Sequence, residues 1–308
     1  MEIIGKMLCL VVAALAAIGC SSVRKEPLPN TDIWIAKFNE RTLEVSDVRQ
    51  ITFGKGYKNQ PCFSIDSKYL LYASDEDGSG SPDVMKYDLQ RDSAMQITST
   101  DASEFSPTPT ANGRFTAIHV AKPNAEGEEY TESQQLWEYD STGKGLGPII
   151  SATRIGYHAW LDANHVAVFI VGSEDGKTPH KLAVYNTTNG SVINIASNIG
   201  RCIKRAPNGL LTYVDKSDST AYKIIATAGD SQSIDTIVTL PKGTEDFCWM
   251  YEGTIFTFAN GTLYGCATYE QPRKWKPFVS PYVDGTISRL VMSPDSRYFA
   301  WVVKKNSE

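Results

Sequence analysis

From residue 31 to residue 303 the apolar positions of this chain recur with a period of two, and no segment carries a long helical period. Runs such as Asp83-Val84-Met85-Lys86-Tyr87-Asp88 and Gln135-Leu136-Trp137-Glu138-Tyr139-Asp140 alternate as the two faces of a strand do. Polar turn residues separate the runs: Asp66-Ser67, Asn112-Gly113, Asp162-Ala163-Asn164, Asn208-Gly209, Glu252-Gly253 and Asp295-Ser296. Asn-Gly supplies the positive φ that a two-residue hairpin requires. The pattern predicts an all-β chain.

The strands fall into a repeat. Taking Ser64 as a phase marker, equivalent positions lie near Thr110, Leu161, Ala206, Tyr251 and Ser293, at intervals of roughly 42 to 51 residues, the length of a four-stranded propeller blade. In each repeat a hairpin precedes a third strand, as at Lys181-Leu182-Ala183-Val184-Tyr185, and a fourth, as at Val192-Ile193-Asn194-Ile195. The last repeat stops after its second strand, at Val303. Its missing partners stand at the other end of the domain: 32–38 matches the third-strand pattern and 48–52 the fourth. Five complete blades plus this composite predict a six-bladed β-propeller, residues 31–308, whose last blade is closed by N-terminal strands. Such closure removes the open sheet edges that invite aggregation.

Composition narrows the partners. Thirty-five acidic against thirty basic residues give a net charge of −5 with no basic run, which argues against nucleic acid. Cys62, Cys202, Cys248 and Cys266 match no metal or redox spacing, and the first three fall on expected inner strands, so buried free thiols are expected.

Residues 1–19 read as a targeting segment. A short start ends at Lys6, and the apolar stretch Met7–Ile18 is too short for a hydrocarbon core of about 30 Å. Ala17-Ile18-Gly19-Cys20 resembles a bacterial lipobox, with Ala17 where leucine is commonest. The resemblance implies cleavage before Cys20, acylation of that residue and a tether over 20–30. Ser21 after the cysteine, rather than aspartate, implies outer-membrane sorting, with the domain facing the periplasm or exported to the surface. The membrane would be met only through the lipid anchor.

The turns Ser293-Pro294-Asp295-Ser296-Arg297-Tyr298 and Ser64-Ile65-Asp66-Ser67-Lys68-Tyr69, with the Asp75-Glu76-Asp77-Gly78…Asp83-Val84 connection, resemble the WD40-like repeat of the TolB propeller family. The similarity covers most of 31–303. TolB carries an α/β domain before its propeller, whereas about ten residues separate Cys20 from the first strand here. The resemblance therefore implies a stand-alone propeller lipoprotein, a monomer that binds partners at the mouth of its funnel.

The first strand of each blade lines the channel, so its leading residues should meet at one opening. The candidates are Asn59, Gln60, Glu104, Ser106, Tyr157, His158, Arg201, Glu245, Asp246, Ser288 and Arg289, with Trp160 in the Tyr157-His158-Ala159-Trp160 cluster. Such a mixed ring suits a polar small ligand, a peptide end or a glycan, although a wet channel needs polar lining in any case. The acidic loop Asp75–Gly80 would need glutamate at its twelfth position to bind calcium as an EF-hand, and that position is Lys86. The 122–133 insertion reads as an acidic loop. No Gly-x-Ser-x-Gly elbow and no zinc signature occurs, so no catalytic residue, metal or cofactor is assigned. The expected function is binding of an envelope protein or polar ligand without catalysis. The alternative is a carbohydrate-active or other small-molecule enzyme that uses the channel.

Overall fold

The computed structural model describes residues 28–305 except 77, 122–133, 152–153, 174 and 282. The expected targeting segment 1–19, the expected lipidation site Cys20, most of the expected tether and the 122–133 insertion lie outside the described residues. The described residues form twenty-four strands and one 3₁₀ turn, Ala111–Gly113. The strands make six antiparallel sheets of four.

Blade I holds β3 (Tyr57–Phe63), β4 (Tyr69–Asp75), β5 (Asp83–Asp88) and β6 (Ser93–Gln96), ordered from the axis outward. Blades II, III, IV and V repeat that order from inner strands β7 (Ser103–Pro109), β11 (Ile155–Trp160), β15 (Ile199–Arg205) and β19 (Cys248–Trp249). Blade VI is the expected composite. Its order from the axis is β23 (Thr286–Met292), β24 (Tyr298–Lys304), β1 (Thr31–Asn39) and β2 (Glu44–Gln50). The sequence put that fourth strand at 48–52, but it ends at Gln50. Ile51 and Thr52 instead fold back on β1, where Thr52 Oγ1 accepts the Ile33 amide at 2.8 Å.

The turns of the two best repeats are the same object. Ser64 Oγ donates to Asp66 Oδ1 at 2.8 Å and accepts the amides of Lys68 and Tyr69. Ser293 Oγ does likewise with Asp295, at 2.7 Å, and with the amides of Arg297 and Tyr298. Ser67 and Ser296 both take φ +57°. Asp295 donates its amide to Ser67 Oγ, so the turns of adjacent blades also touch.

The core is six wedges, one between each neighbouring pair of blades. Leu71 and Val84 of blade I meet Phe115, Ala117 and Tyr139 of blade II, for example. β1 serves two wedges. Ile33 and Ile35 face blade I, and Ala36 and Phe38 face blade V. A middle strand buried on both faces must be apolar on both, which explains the near-continuous burial of β4 and β24.

Candidate functional site

The inner strands do not run straight past the axis. In blade I, Asn59 pairs with Ala73 and Cys62 with Leu71, so Gln60 and Pro61 face a single opposing residue. The same extra residue occurs in blade II between Phe105 and Thr108, and in blade VI between Ser288 and Val291. Blade III breaks register between Ile155 and Tyr157, and blade IV between Ile199 and Ile203. These are β-bulges, which re-aim a side chain at the cost of one ladder position. Gln60, Ser106 and Arg289 sit in them at φ +57°, +53° and +58°. Non-glycine residues in that region are strained by about 1–3 kcal/mol each, and such strain collects at functional sites.

The bulges of five blades, and in blade V the unpaired segment before β19, turn one residue per blade toward the axis: Gln60, Ser106, Tyr157, Arg201, Asp246 and Arg289. These six line one cavity of about 90 Å³, with His158, Cys202 and Lys204 among its other walls. All six stand among the twelve channel candidates of the sequence, and His158 is a seventh on this wall.

Asn59, Glu104, Trp160, Glu245 and Ser288 are not on this cavity wall, Glu245 and Ser288 lining the second cavity described below, so not every leading strand residue meets at one opening. Asn59 and Glu104 precede a bulge of their strands, whereas Trp160 closes its strand beyond one. The Asn59 carboxamide oxygen accepts the Gln60 amide at 2.8 Å and so holds the bulge. Trp160 Nε1 donates to Thr116 Oγ1 in blade II at 3.0 Å. Glu104 is fully buried between blades I and II. It accepts from Thr100 Oγ1 at 2.6 Å and Thr98 Oγ1 at 3.2 Å, with His119 Nδ1 3.5 Å away. Asp83 shares this cluster. Burial is the main cause that pushes its carboxyl up to about 6; Glu104 adds to the rise and the Thr100 amide opposes it.

An ionic network crosses from blade IV to blade V. Arg201 Nη2 meets Asp246 Oδ2 at 2.6 Å and Nη1 lies 3.6 Å from Glu245 Oε2, which Lys216 Nζ approaches to 3.4 Å. The Arg201 amide donates to Glu245 Oε1 at 2.7 Å. Gly200 permits this approach, since a Cβ there would lie 2.8 Å from the same oxygen. Because β19 has only two residues, the segment before it makes no ladder. A second cavity of about 220 Å³ opens beside it and shares Arg201, Asp246 and Leu290 with the first.

Burial works against charge on Asp246, but Arg201 and Arg289 outweigh it and hold the carboxyl below the usual range. Burial likewise opposes charge on Arg201, where Asp246 and Glu245 prevail, and on Arg289, where Tyr157 and Asp246 prevail. Arg289 Nη2 donates to the Tyr157 hydroxyl at 2.8 Å. Burial lowers the His158 pKa to about 3, so its imidazole is neutral near pH 7. His158 Nε2 lies 2.7 Å from Thr116 Oγ1. Ser106 Oγ, His158 Nδ1 and Arg201 Nε are buried without a hydrogen-bond partner among the described residues.

The four described cysteines are free thiols. The Asp75 carboxylate is taken by its own loop, accepting from Ser79 Oγ at 3.2 Å and the Gly80 amide at 2.9 Å. Among the described residues no three His, Cys, Asp or Glu side chains are grouped to hold a metal ion.

No protein-family model and no curated protein matches this sequence. Solved structures do. A protein assigned as TolB from Agrobacterium tumefaciens superposes with a TM-score of 0.66 at 14% identity, over 91% of this chain and 99% of that one. TolB from Acinetobacter baumannii gives 0.52 at 14% identity, over 90% of this chain. This chain spans 64% of that protein. A gluconolactonase from Xanthomonas campestris gives 0.61 at 10% identity, over 91% of this chain and 99% of that one. At these identities the likeness is one of fold. The chain has a six-bladed β-propeller fold like that of the TolB structures, and the gluconolactonase shares that fold.

Proposed function

We propose that this protein is a lipid-anchored TolB-like propeller of the outer membrane, facing the periplasm, which binds an envelope protein or a polar ligand through its channel without catalysis. The supporting observation is the ring itself. Six blades of different sequence each aim one side chain at a single cavity, three of them from strained backbone, and three polar atoms on its wall are left unpartnered. A fold without a ligand has no use for strain at equivalent places in adjacent blades. The lipobox resemblance of residues 17–20 supports the anchor.

Two variants test the halves of the reading separately. Cys20→Ser should move the protein from the membrane fraction to the soluble fraction and leave its ligand binding intact. Arg201→Ala should stay in the membrane and lose capture of the envelope component that the wild type retains. A Cys20→Ser protein that stays in the membrane fraction defeats the anchor, and unaltered capture by Arg201→Ala defeats the channel.

One observation favours an enzyme: His158, Arg201 and Asp246 wall the same cavity. Against it, Arg201 is committed to Asp246 and His158 Nε2 to Thr116. Turnover of a small carbohydrate or lactone by the purified protein, abolished in His158→Gln, would establish that reading.

A further inference from the structure

The charges around the channel cavity do not balance. Arg201, Lys204 and Arg289 line it against one carboxylate, Asp246, three cations to one anion. That carboxylate is already taken by Arg201 at 2.6 Å. Neither Lys204 nor Arg289 forms an ion pair within 4 Å among the described residues: the Arg289 guanidinium donates to the Tyr157 hydroxyl at 2.8 Å and lies over that ring, and it feels Asp246 only at longer range. The chain as a whole carries −5, so a doubly positive hole at the axis is a local construction and not a reflection of overall charge.

A half-buried guanidinium that lacks a carboxylate is expensive unless an anion completes it. Arg289 is moreover held in a left-handed bulge at φ +58°, which aims it at the cavity. Two neutral groups on the same wall have unused capacity. Ser106 Oγ is buried without a partner, and so is Nδ1 of His158, a residue only 8% exposed. A carboxylate accepts from several donors at once, and a charge-assisted bond to arginine is its strongest kind. A cavity of about 90 Å³ admits a carboxylate and the few atoms beside it, with the rest of a longer acid standing in the mouth.

We propose that the channel cavity binds the carboxylate of a small organic acid, with Arg289 as its charge partner and Ser106 and His158 as neutral hydrogen-bonding walls. The assignment rests on the channel being the binding site, and it adds the ligand's chemical class.

The test is titration of the purified protein with lactate and succinate, each beside its amide, lactamide and succinamide, by calorimetry and thermal denaturation. The acids should raise Tm by about 3 °C at ten times Kd, and the amides should not. Arg289→Gln should weaken the acids at least about tenfold, with partial recovery in Arg289→Lys. In the wild type, raising salt from about 0.05 to about 0.5 M should also weaken them. Equal binding of acids and amides, undiminished binding in Arg289→Gln, or a salt-independent Kd overturns the carboxylate assignment. The salt titration decides alone if Arg289→Gln does not fold. If no probe binds but Arg201→Ala still abolishes envelope capture, the carboxylate falls and the channel reading stands. If capture is also indifferent to Arg201→Ala, both fall.

Discussion

His158, buried, and Asp83, half-buried, are titratable groups whose effects on stability run in opposite directions with pH. The His158 pKa lies near 3 in the folded protein against an ordinary 6.5. Between those values the unfolded chain binds a proton that the folded one refuses. Stability from this site is therefore complete above pH 6.5 and lost as pH falls, by at most about 1.4 kcal/mol per pH unit. Asp83 is the reverse: its folded pKa is raised from 3.8 to about 6, so its contribution is complete below 3.8 and lost as pH rises through 6. The two slopes oppose each other between roughly pH 4 and 6. Thermal melts across that window should therefore show His158→Gln gaining stability relative to wild type as pH falls. Asp83→Asn should gain relative to wild type as pH rises. Parallel pH profiles for either variant and wild type would mean that its titration does not differ between folded and unfolded chains.

At the scale of strands and blades, a tryptophan closing an inner strand donates to a threonine in the second strand of the preceding blade. Trp160 reaches Thr116 Oγ1 and Trp249 reaches Thr212 Oγ1, both at 3.0 Å. Thr116 and Thr212 are buried, so valine would keep the shape and orphan the donors. Thr116→Val strands both Trp160 and His158 and should cost about 2–4 kcal/mol, whereas Thr212→Val strands Trp249 and should cost about 1–2 kcal/mol. Urea denaturation of the two variants gives the ordering, and equal losses would show that His158 gains nothing from Thr116. How much of this could be read in advance depends on range. The hairpins are local chemistry: Ser64, Asp66 and Ser67 build their own turn, so repeat count, phase and composite blade were all legible. The bulges are not local, because they exist only relative to a partner strand. Glu104 was misplaced for that reason. Period-two alternation fixes which residues share a face, but an extra residue resets the phase and sends those before it toward the next blade. Pro61, Pro107 and Gly156 were the available signals. Proline cannot donate to an interior ladder and is tolerated at a bulge, and glycine within a strand marks the same irregularity. Nothing in the sequence near Arg289 or Asp246 gives such a sign, and their place in the ring follows only from closure of the wheel.

For the whole molecule, everything depends on one seam. Seven residues of β1 pair with β24, from Thr31 with Lys304 to Lys37 with Tyr298. Opening it would leave β24 as a bare edge and strip apolar side chains from two wedges at once, since β1 supplies Ile33 and Ile35 to one and Ala36 and Phe38 to the other. The ring cavity would be disturbed with it, because Arg289 lies on β23, whose ladder partner is β24 alone. A covalent bond across the seam should therefore stabilise the wheel strongly. The Phe38 amide bonds the Arg297 carbonyl, which makes Lys37 and Tyr298 a non-hydrogen-bonded pair, the closer of the two antiparallel spacings and within reach of a disulfide. Lys37→Cys with Tyr298→Cys would close a loop of more than about 250 residues, for which chain entropy gives about 5 kcal/mol. Comparing oxidised with reduced forms of that one double variant cancels the loss of the tyrosine ring. Burial raises the pKa of the thiols of Cys62, Cys202, Cys248 and Cys266, which keeps them slow to exchange into the new bond. The oxidised protein should melt several degrees higher and return to the reduced value with dithiothreitol. A disulfide that forms quantitatively and leaves Tm unchanged would mean that the blades come apart without the seam opening, and that closure of the ring is not what holds the channel wall in place.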